Sequence, residues 1–324
     1  MQAAVRTRYG PPDVVRIAEA DRPVPKAHEL LVRIHATTVN RTDCGLRAAK
    51  PFIVRFFAGL TKPRVTVLGS EFAGEVVAVG SGVTSFRAGD RVFGYDDSRC
   101  GAHAEYKTIA EDGPVETLPA NLTFEEAAAA TEGSHYALAF TRKAKIESGQ
   151  DVLVNGATGA IGAAAVQLIK GLGTHVTAVC ATEHLALVKG LGADRVIDYG
   201  RGLHPGQAAV RRGTRCRRQE FVRPMQASVE AGRDLRVLGP RPALPEPAPG
   251  ARHAAAPREK VQFPIPSIDQ EMVRYLRDRI EAGVFRPVID RRYPFDRIVE
   301  AYRYVETGQK VGNVVITMPV ERPS

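Results

Sequence analysis

Apolar and polar residues alternate along Glu29-Leu-Leu-Val-Arg-Ile-His35, and Phe72-Ala-Gly-Glu-Val-Val-Ala-Val79 is an apolar-rich run that stops at Gly80-Ser-Gly82. Both patterns predict strands, and Ala88-Gly-Asp90-Arg-Val-Phe93-Gly94 adds a turn and a third. Residues 1–110 are therefore expected to form a β-rich domain. Beyond residue 150 the pattern changes. Val152-Leu-Val154 is a short continuous apolar strand, an Ala- and Leu-rich helix follows, and His175-Val-Thr-Ala-Val179 is a second strand. Leu185 to Leu191 continues as a helix, and Gly192-Ala-Asp-Arg-Val-Ile-Asp198-Tyr199 turns into a third short strand. Strands alternating with helices predict a parallel sheet, hence an α/β domain. Near the C-terminus, Phe263-Pro-Ile-Pro opens a helix at about Asp269 to Ala282. A strand at Pro287-Val-Ile-Asp290, a helix around Phe295 to Thr307 and a last strand ending at Thr317 follow.

The most informative stretch joins the first two strands of the α/β domain: Asn155-Gly156-Ala157-Thr158-Gly159-Ala160-Ile161-Gly162. Glycines here permit a tight turn, close approach of backbone N–H groups to a pyrophosphate and close helix–sheet packing. The helix N-terminus adds unpaired N–H groups and partial positive charge. All eight residues are candidates for dinucleotide binding, with Thr182 and Tyr199 at the ends of the next two strands. An NAD-preferring site places an acid at the end of the second strand, to hold the ribose 2′-hydroxyl. This strand ends Val179-Cys180-Ala181-Thr182, with Glu183 only beyond it. NADP(H) is the expected cofactor and NAD(H) the alternative.

The 324 residues suffice for two domains with substantial cores. No signal peptide or membrane-spanning apolar run is visible, and four scattered cysteines fit neither a disulfide framework nor a paired metal site. A cytoplasmic protein with reduced thiols is expected. The net charge of +9 arises mostly in residues 201–259, which hold 12 Arg against 5 acids. Nucleic acid and membrane are therefore not expected partners.

Taken together, several segments resemble the medium-chain dehydrogenase/reductase superfamily in its zinc-independent, quinone-reductase branch. They are Val39-Asn40-Arg-Thr-Asp43, Leu68-Gly-Ser-Glu71-Phe-Ala-Gly74, Val83-Thr-Ser-Phe-Arg-Ala-Gly89-Asp90, Gly101-Ala-His-Ala-Glu105-Tyr106 and the glycine loop. The resemblance covers residues 1 to about 199 and resumes from about 260. It implies a GroES-like catalytic domain at 1–121, a Rossmann nucleotide-binding domain at 122–262 and a C-terminal return at 263–324 that completes the first. A homodimer is common in the resembled family.

Zinc needs three or four ligands of Cys, His or carboxylate type. Asn40 and Ser70 stand where the zinc-dependent relatives carry ligands. Asp43, Cys44 and Glu71 do not complete a set, and only Cys100 lies where a structural-zinc loop would carry four cysteines. No metal is expected; His35 and His103 are expected to be packing or solvated residues. Without a Lewis acid an alkoxide lacks its usual stabilisation. Reduction of a quinone or an α,β-unsaturated carbonyl is easier, because hydrogen bonds can support charge on a remote oxygen. The resemblance points to Asn40 and Asp43, either orienting substrate or holding a polar turn. Tyr95 and Tyr106 are alternative hydroxyl donors, or packed aromatics. His135 stands where the family often has Thr, lining the pocket or satisfied within a helix. Lys310 and Asn313 match a C-terminal family segment near the cleft. The alternatives are a zinc-free NAD(P)-dependent alcohol dehydrogenase and a catalytically impaired nucleotide-binding relic.

After Tyr199 the pattern breaks. The α/β domain calls for further apolar strands, yet residues 201–259 carry Arg211-Arg212, Arg215-Cys-Arg217-Arg218 and Pro240-Arg-Pro242-Ala-Leu-Pro245-Glu-Pro247-Ala-Pro249-Gly250. Such density of charge, Pro and Gly argues against a packed core. Shifted by one base, codons for residues 218–236 can yield Gly-Lys-Ser-Ser-Phe-Gly-Arg-Cys-Lys-Arg-Leu-Leu-Lys-Pro-Gly-Gly-Ile-Tyr-Val, the expected helix, turn and strand. Residues 200–259 are therefore expected to be translated out of frame, with the register restored before Val261.

Overall fold

A computed structural model describes residues 1–200, 228–231 and 268–319. In chain order the elements are β1 Gln2–Val5, β2 Arg16–Glu19, β3 Glu29–Val39, α1 Arg41–Ala48, α2 Val54–Ala58, β4 Glu71–Val79, β5 Arg91–Tyr95, β6 Tyr106–Ala110 and β7 Val115–Thr117. They continue with α3 Phe124–Ala128, α4 Glu132–Ala144, β8 Asp151–Asn155, α5 Ala160–Lys170, β9 His175–Cys180, α6 Leu185–Gly190, β10 Arg195–Asp198 and β11 Ser228–Ala231. The last are α7 Gln270–Glu281, β12 Ile289–Pro294, α8 Ile298–Glu306 and β13 Asn313–Thr317. They fall into two compact units, Met1–His135 with Ser267–Ser324 and Tyr136–Pro266.

The first unit is built on a seven-stranded sheet in the order β12-β13-β3-β4-β5-β7, with β6 also paired to β3. Period-two patterning accounts for its core: Leu30, Val32 and Ile34 of β3 share the apolar cluster with Phe72 and Val76 of β4. The returning chain closes the sheet, since β13 pairs antiparallel with β3, Val314 opposite Val39 and Thr317 opposite Ala36. Helix α8 adds Ile298, Ala301, Tyr302 and Val305 to the same core. The expected strand at 287–290 begins two residues later, at Ile289, and runs to Pro294. Pro287 has no N–H to donate to a ladder. His103, expected to be a packing or solvated residue, lies between β5 and β6 and is buried.

In the second unit the sheet order is β10-β9-β8-β11. β8, β9 and β10 pair in parallel, as the alternation with α5 and α6 requires. This is the first half of a Rossmann-like arrangement. β11 instead runs antiparallel to β8, Ser228 opposite Asn155. Its residues, Ser-Val-Glu-Ala, lack the continuous apolar run of a central parallel strand. Apart from Gly200, the remaining residues of the out-of-frame expectation lie outside the described ones. No described helix is long and apolar enough to cross a membrane.

Candidate active site

In the second unit, the turn from β8 into α5 uses its three glycines for different ends. Gly156 adopts a φ of 72°, a left-handed conformation in which other residues are strained. At Gly162 a Cβ would lie 2.1 Å from the Gly156 carbonyl oxygen, so only glycine lets the first turn of α5 lie against the loop. Gly159 is different: a Cβ there would meet nothing nearer than 3.9 Å. The fold does not need that glycine. It sits at the N-cap of α5, which no side chain caps. An open approach to an uncapped helix start fits a dinucleotide pyrophosphate. Ala157 N–H is committed to the Val179 carbonyl at 3.1 Å, which anchors the loop to β9.

At the ends of β9 and β10 the structure adds an acid that reading along one strand had missed. Asp198 pairs with Cys180 in the parallel register. Its carboxylate thus stands beside Thr182, whose hydroxyl donates to both carboxylate oxygens at 3.0 and 2.8 Å. Gly200 N–H donates to it at 2.8 Å. Tyr199 is exposed beside this pair.

In the first unit, a buried hydrogen-bonded knot forms where β3 ends, β4 begins and α4 starts. Its centre is Glu71, fully buried. One carboxylate oxygen accepts from Thr131 N–H at 3.1 Å, Thr131 hydroxyl at 2.9 Å and Glu132 N–H at 2.6 Å. The other accepts from the Thr38 hydroxyl and from the Asn40 amide at 3.5 Å. Asn40 also donates to Ser70 Oγ at 2.9 Å. The same residue caps α1: its side-chain oxygen accepts from Asp43 N–H at 2.9 Å, while Asp43 accepts from Asn40 N–H at 3.2 Å. Asp43 further accepts from Gly69 N–H at 3.2 Å. Gly69 has φ 92°, and a Cβ there would lie 2.6 Å from the His103 backbone nitrogen. Asn40 and Asp43 are thus brought together, and both hold the turn.

Glu132 lies beside the knot. Thr42 donates to its carboxylate through the hydroxyl at 2.8 Å and through N–H at 3.4 Å. Burial, then the neighbouring Glu71, push the Glu132 carboxyl up to about 7, against the opposing pull of Lys310 and Thr42. Burial raises Glu71 as well, but its many donors oppose that rise. The pair therefore divides its roles: Glu71 holds charge and Glu132 the proton. Asp43 is also raised, by burial first and by Glu132 next. Lys310 is lowered by burial, with Glu132 and Glu71 opposing; its ammonium donates to the Gly312 carbonyl at 2.6 Å.

The other expected residues, Tyr95, His135, Tyr106 and Asn313, are buried. Tyr95 is fully buried in β5, its ring 4.6 Å from that of His135. His135 Nδ1 meets the Thr131 carbonyl at 3.0 Å, and burial drives its imidazole down to about 4, so it is neutral at pH 7. Tyr106 is buried under the Arg22 guanidinium. Asn313 gives its amide to the Val288 carbonyl at 3.1 Å, which fixes the start of β13. Thr38, Thr42, Thr131, Glu132 and Asp198 escaped the sequence reading. Thr131-Glu132 at the start of α4 carried the only local signal, that of a helix start.

The residues at the would-be zinc position do not fit zinc. A cation needs lone pairs, yet Asn40 turns its amide N–H toward Ser70 and Glu71. The Glu71 carboxylate is occupied by five donors. Burial pushes the thiol of Cys44 up to about 12. Among the described residues no group of three or more His, Cys, Asp or Glu is arranged to hold a metal ion.

Two family models cover most of the chain. The alcohol dehydrogenase GroES-like domain matches residues 26–134 and the zinc-binding dehydrogenase family matches residues 133–316. The 2-methylene-furan-3-one reductase of Solanum lycopersicum is 33% identical over 332 residues, covering 98% of this chain and 79% of that protein. The quinone oxidoreductase of Mus musculus is 26% identical over 343 residues, covering 98% of each. A mycobacterial protein solved in complex with NADPH superposes with a TM-score of 0.70 at 25% identity, over 98% of this chain and all of that one.

Proposed function

The chain belongs to the medium-chain dehydrogenase/reductase superfamily as an NAD(P)H-dependent oxidoreductase, and from that premise we propose that it reduces quinones or α,β-unsaturated carbonyls with NADPH, without a metal. The observation that carries this reading is the knot of Asn40, Ser70, Glu71 and Thr131, in which the Asn40 amide N–H and the Glu71 carboxylate are engaged with protein partners rather than offered to a Lewis acid. Bound at the glycine loop, NADPH supplies the hydride. The backbone of Gly156 to Gly162 and the start of α5 hold its pyrophosphate. Charge develops on the acceptor's carbonyl oxygen, remote from the carbon that receives hydride, where hydrogen bonds suffice to support it. Asn40 and Asp43 act by holding the turn that carries Thr42.

The mycobacterial relative with NADPH, and a strand end without its own acid, favour the phosphorylated cofactor. A second reading, NADH, is favoured by Asp198, whose carboxylate stands beside Thr182 and would repel a 2′-phosphate. Asp198→Asn tests the choice: the ratio of NADPH to NADH affinity should rise several-fold. An unchanged ratio would place the 2′-group elsewhere.

The reading is tested by NADPH oxidation with 1,4-benzoquinones and enones, beside alcohol oxidation. Both the chain as given and a version with residues 200–259 restored to the other frame are assayed. Turnover with enones or quinones and none with alcohols is expected. Alcohol oxidation alone would overturn the proposal. Activity only in the restored chain would assign the defect to 200–259.

A further inference from the structure

Exposed large apolar side chains gather in one place on the first unit. Among the described residues, Phe52, Ile53, Phe56, Phe57 and Leu60 are 59–77% exposed, all within nine positions of the chain. They surround α2, a short helix that buries none of its own residues. The segment is nonetheless held in shape. Tyr9 donates its hydroxyl to the Gly59 carbonyl at 2.7 Å, and Arg64 N–H donates to the Ala58 carbonyl at 2.8 Å. Gly59 turns the chain at φ 119°, where a Cβ would lie 2.1 Å from the Lys62 carbonyl oxygen. The rings of Phe52 and Phe56 meet edge to face, their centroids 6.1 Å apart. Single exposed apolar residues are ordinary on a protein surface, but a cluster of this kind marks an interaction surface.

Charge narrows what that surface meets. From Cys44 to Ser70 the chain carries Arg47, Lys50, Arg55, Lys62 and Arg64 and no acid. Lys50, Lys62 and Arg64 are exposed, whereas Arg47 is buried against Glu306 and Arg55 lies over the Tyr9 ring at 5.0 Å. The acids that flank the run, Asp43 and Glu71, are themselves buried. A second copy docked through the same face would set these cations against their own images, with no carboxylate in the run to pair them. An anionic bilayer suits both parts of the patch: apolar side chains enter the boundary between headgroups and acyl chains, and cations stay with the lipid phosphates. We propose that residues 50–64 form a docking surface for an anionic lipid bilayer, with Phe56 and Phe57 entering that boundary and Lys50, Lys62 and Arg64 meeting the phosphates. The chain lies on the membrane and does not span it. The expectation that no membrane is a partner rests on net charge and on apolar runs, and neither reports a local surface patch. Docking is independent of the reductase reading.

The test sediments the full chain with vesicles of phosphatidylcholine alone, or of phosphatidylcholine and phosphatidylserine in equal parts. Binding is expected only to the mixed vesicles, and should weaken with added salt because exposed charges are screened. Lys62→Gln with Arg64→Gln should weaken it roughly 25-fold, about five-fold for each cation. Phe56→Ser with Phe57→Ser should weaken it roughly ten-fold or more, with the melting temperature unchanged because both rings are exposed. The chain has no tryptophan, so Phe57→Trp places a single reporter. Its emission should shift to the blue with the mixed vesicles and stay unshifted with phosphatidylcholine. Sedimentation that survives both double variants, with no blue shift, would assign binding to the Arg-rich residues 201–259 and overturn the proposal. So would equal binding to the two kinds of vesicle, or failure to sediment with either. Self-association that the serine pair abolishes, in place of vesicle binding, would give the patch to a second copy of the chain instead.

Discussion

The Glu71 knot and the glycine loop handle unpaired polar groups in opposite ways. The knot buries a carboxylate and surrounds it with donors from three elements. The loop starts an eleven-residue helix with no side-chain cap and keeps one glycine the fold does not require. One region spends its hydrogen-bonding capacity on itself, and the other keeps it for a ligand. The difference teaches where a mutation should cost stability and where it should cost binding. Burying a polar group without partners is expensive, so self-satisfaction marks architecture and leftover capacity marks a site.

The largest effect is expected at Glu71. Glu71→Ala strands the donors of Thr38, Thr131 and Glu132, and should cost on the order of 3 kcal/mol or more, since each buried group left unpaired costs about 1–3 kcal/mol. Denaturant unfolding of the variant measures it; a loss under about 1 kcal/mol would show that the knot is not what holds the strand ends together. The two glycines of the loop should separate next. Gly162→Ala drives a Cβ to 2.1 Å from the Gly156 oxygen and should destabilise the second unit by about 1–3 kcal/mol, as overpacking does. Gly159→Ala should leave melting unchanged and weaken NADPH binding roughly ten-fold, about 1.4 kcal/mol. If calorimetry finds equal binding to parent and Gly159→Ala, the open space at residue 159 is not where the pyrophosphate sits.

The smallest effect concerns pH. Burial lowers His103 and His135 to about 4 from 6.5, so the unfolded chain takes up protons first as pH falls. Their contribution to stability is complete above pH 6.5 and is lost as pH drops toward 4. Glu132 acts in the other sense. Raised from 4.5 to about 7, it binds its proton more tightly when folded, so its contribution declines as pH rises across that range. Glu132 offsets only part of what the two histidines lose, so stability should fall as pH drops below 6.5, and more steeply in Glu132→Gln than in the parent. Thermal melting against pH distinguishes the two curves. A level curve in Glu132→Gln would mean that the histidines do not stay neutral.

Much of the fold was legible along the chain because its causes are local. Leu30, Val32 and Ile34 announce a strand by period two and reappear on one face of β3. The alternation of β8, α5, β9, α6 and β10 carries its own parallel pairing. The candidate site was legible only in part. Asn40 and Asp43 were found by their resemblance, but their mutual capping shows that they hold a turn. Glu132 was missed because nothing adjacent to it marks a titrating acid; Glu71, 61 residues away, does that. Asp198 was missed because an acid was sought along one strand, whereas it arrives from the next by register.

The sequence by itself determined the dinucleotide turn. Gly156 answers to a φ and Gly162 to a clearance within residues 156–162, and a requirement spanning seven residues survives whatever the rest of the chain does. Tertiary structure alone decided which acids carry charge and which carry a proton. Burial and the distance between carboxylates set that choice, and both come into being only when β3, β4, α1 and α4 meet.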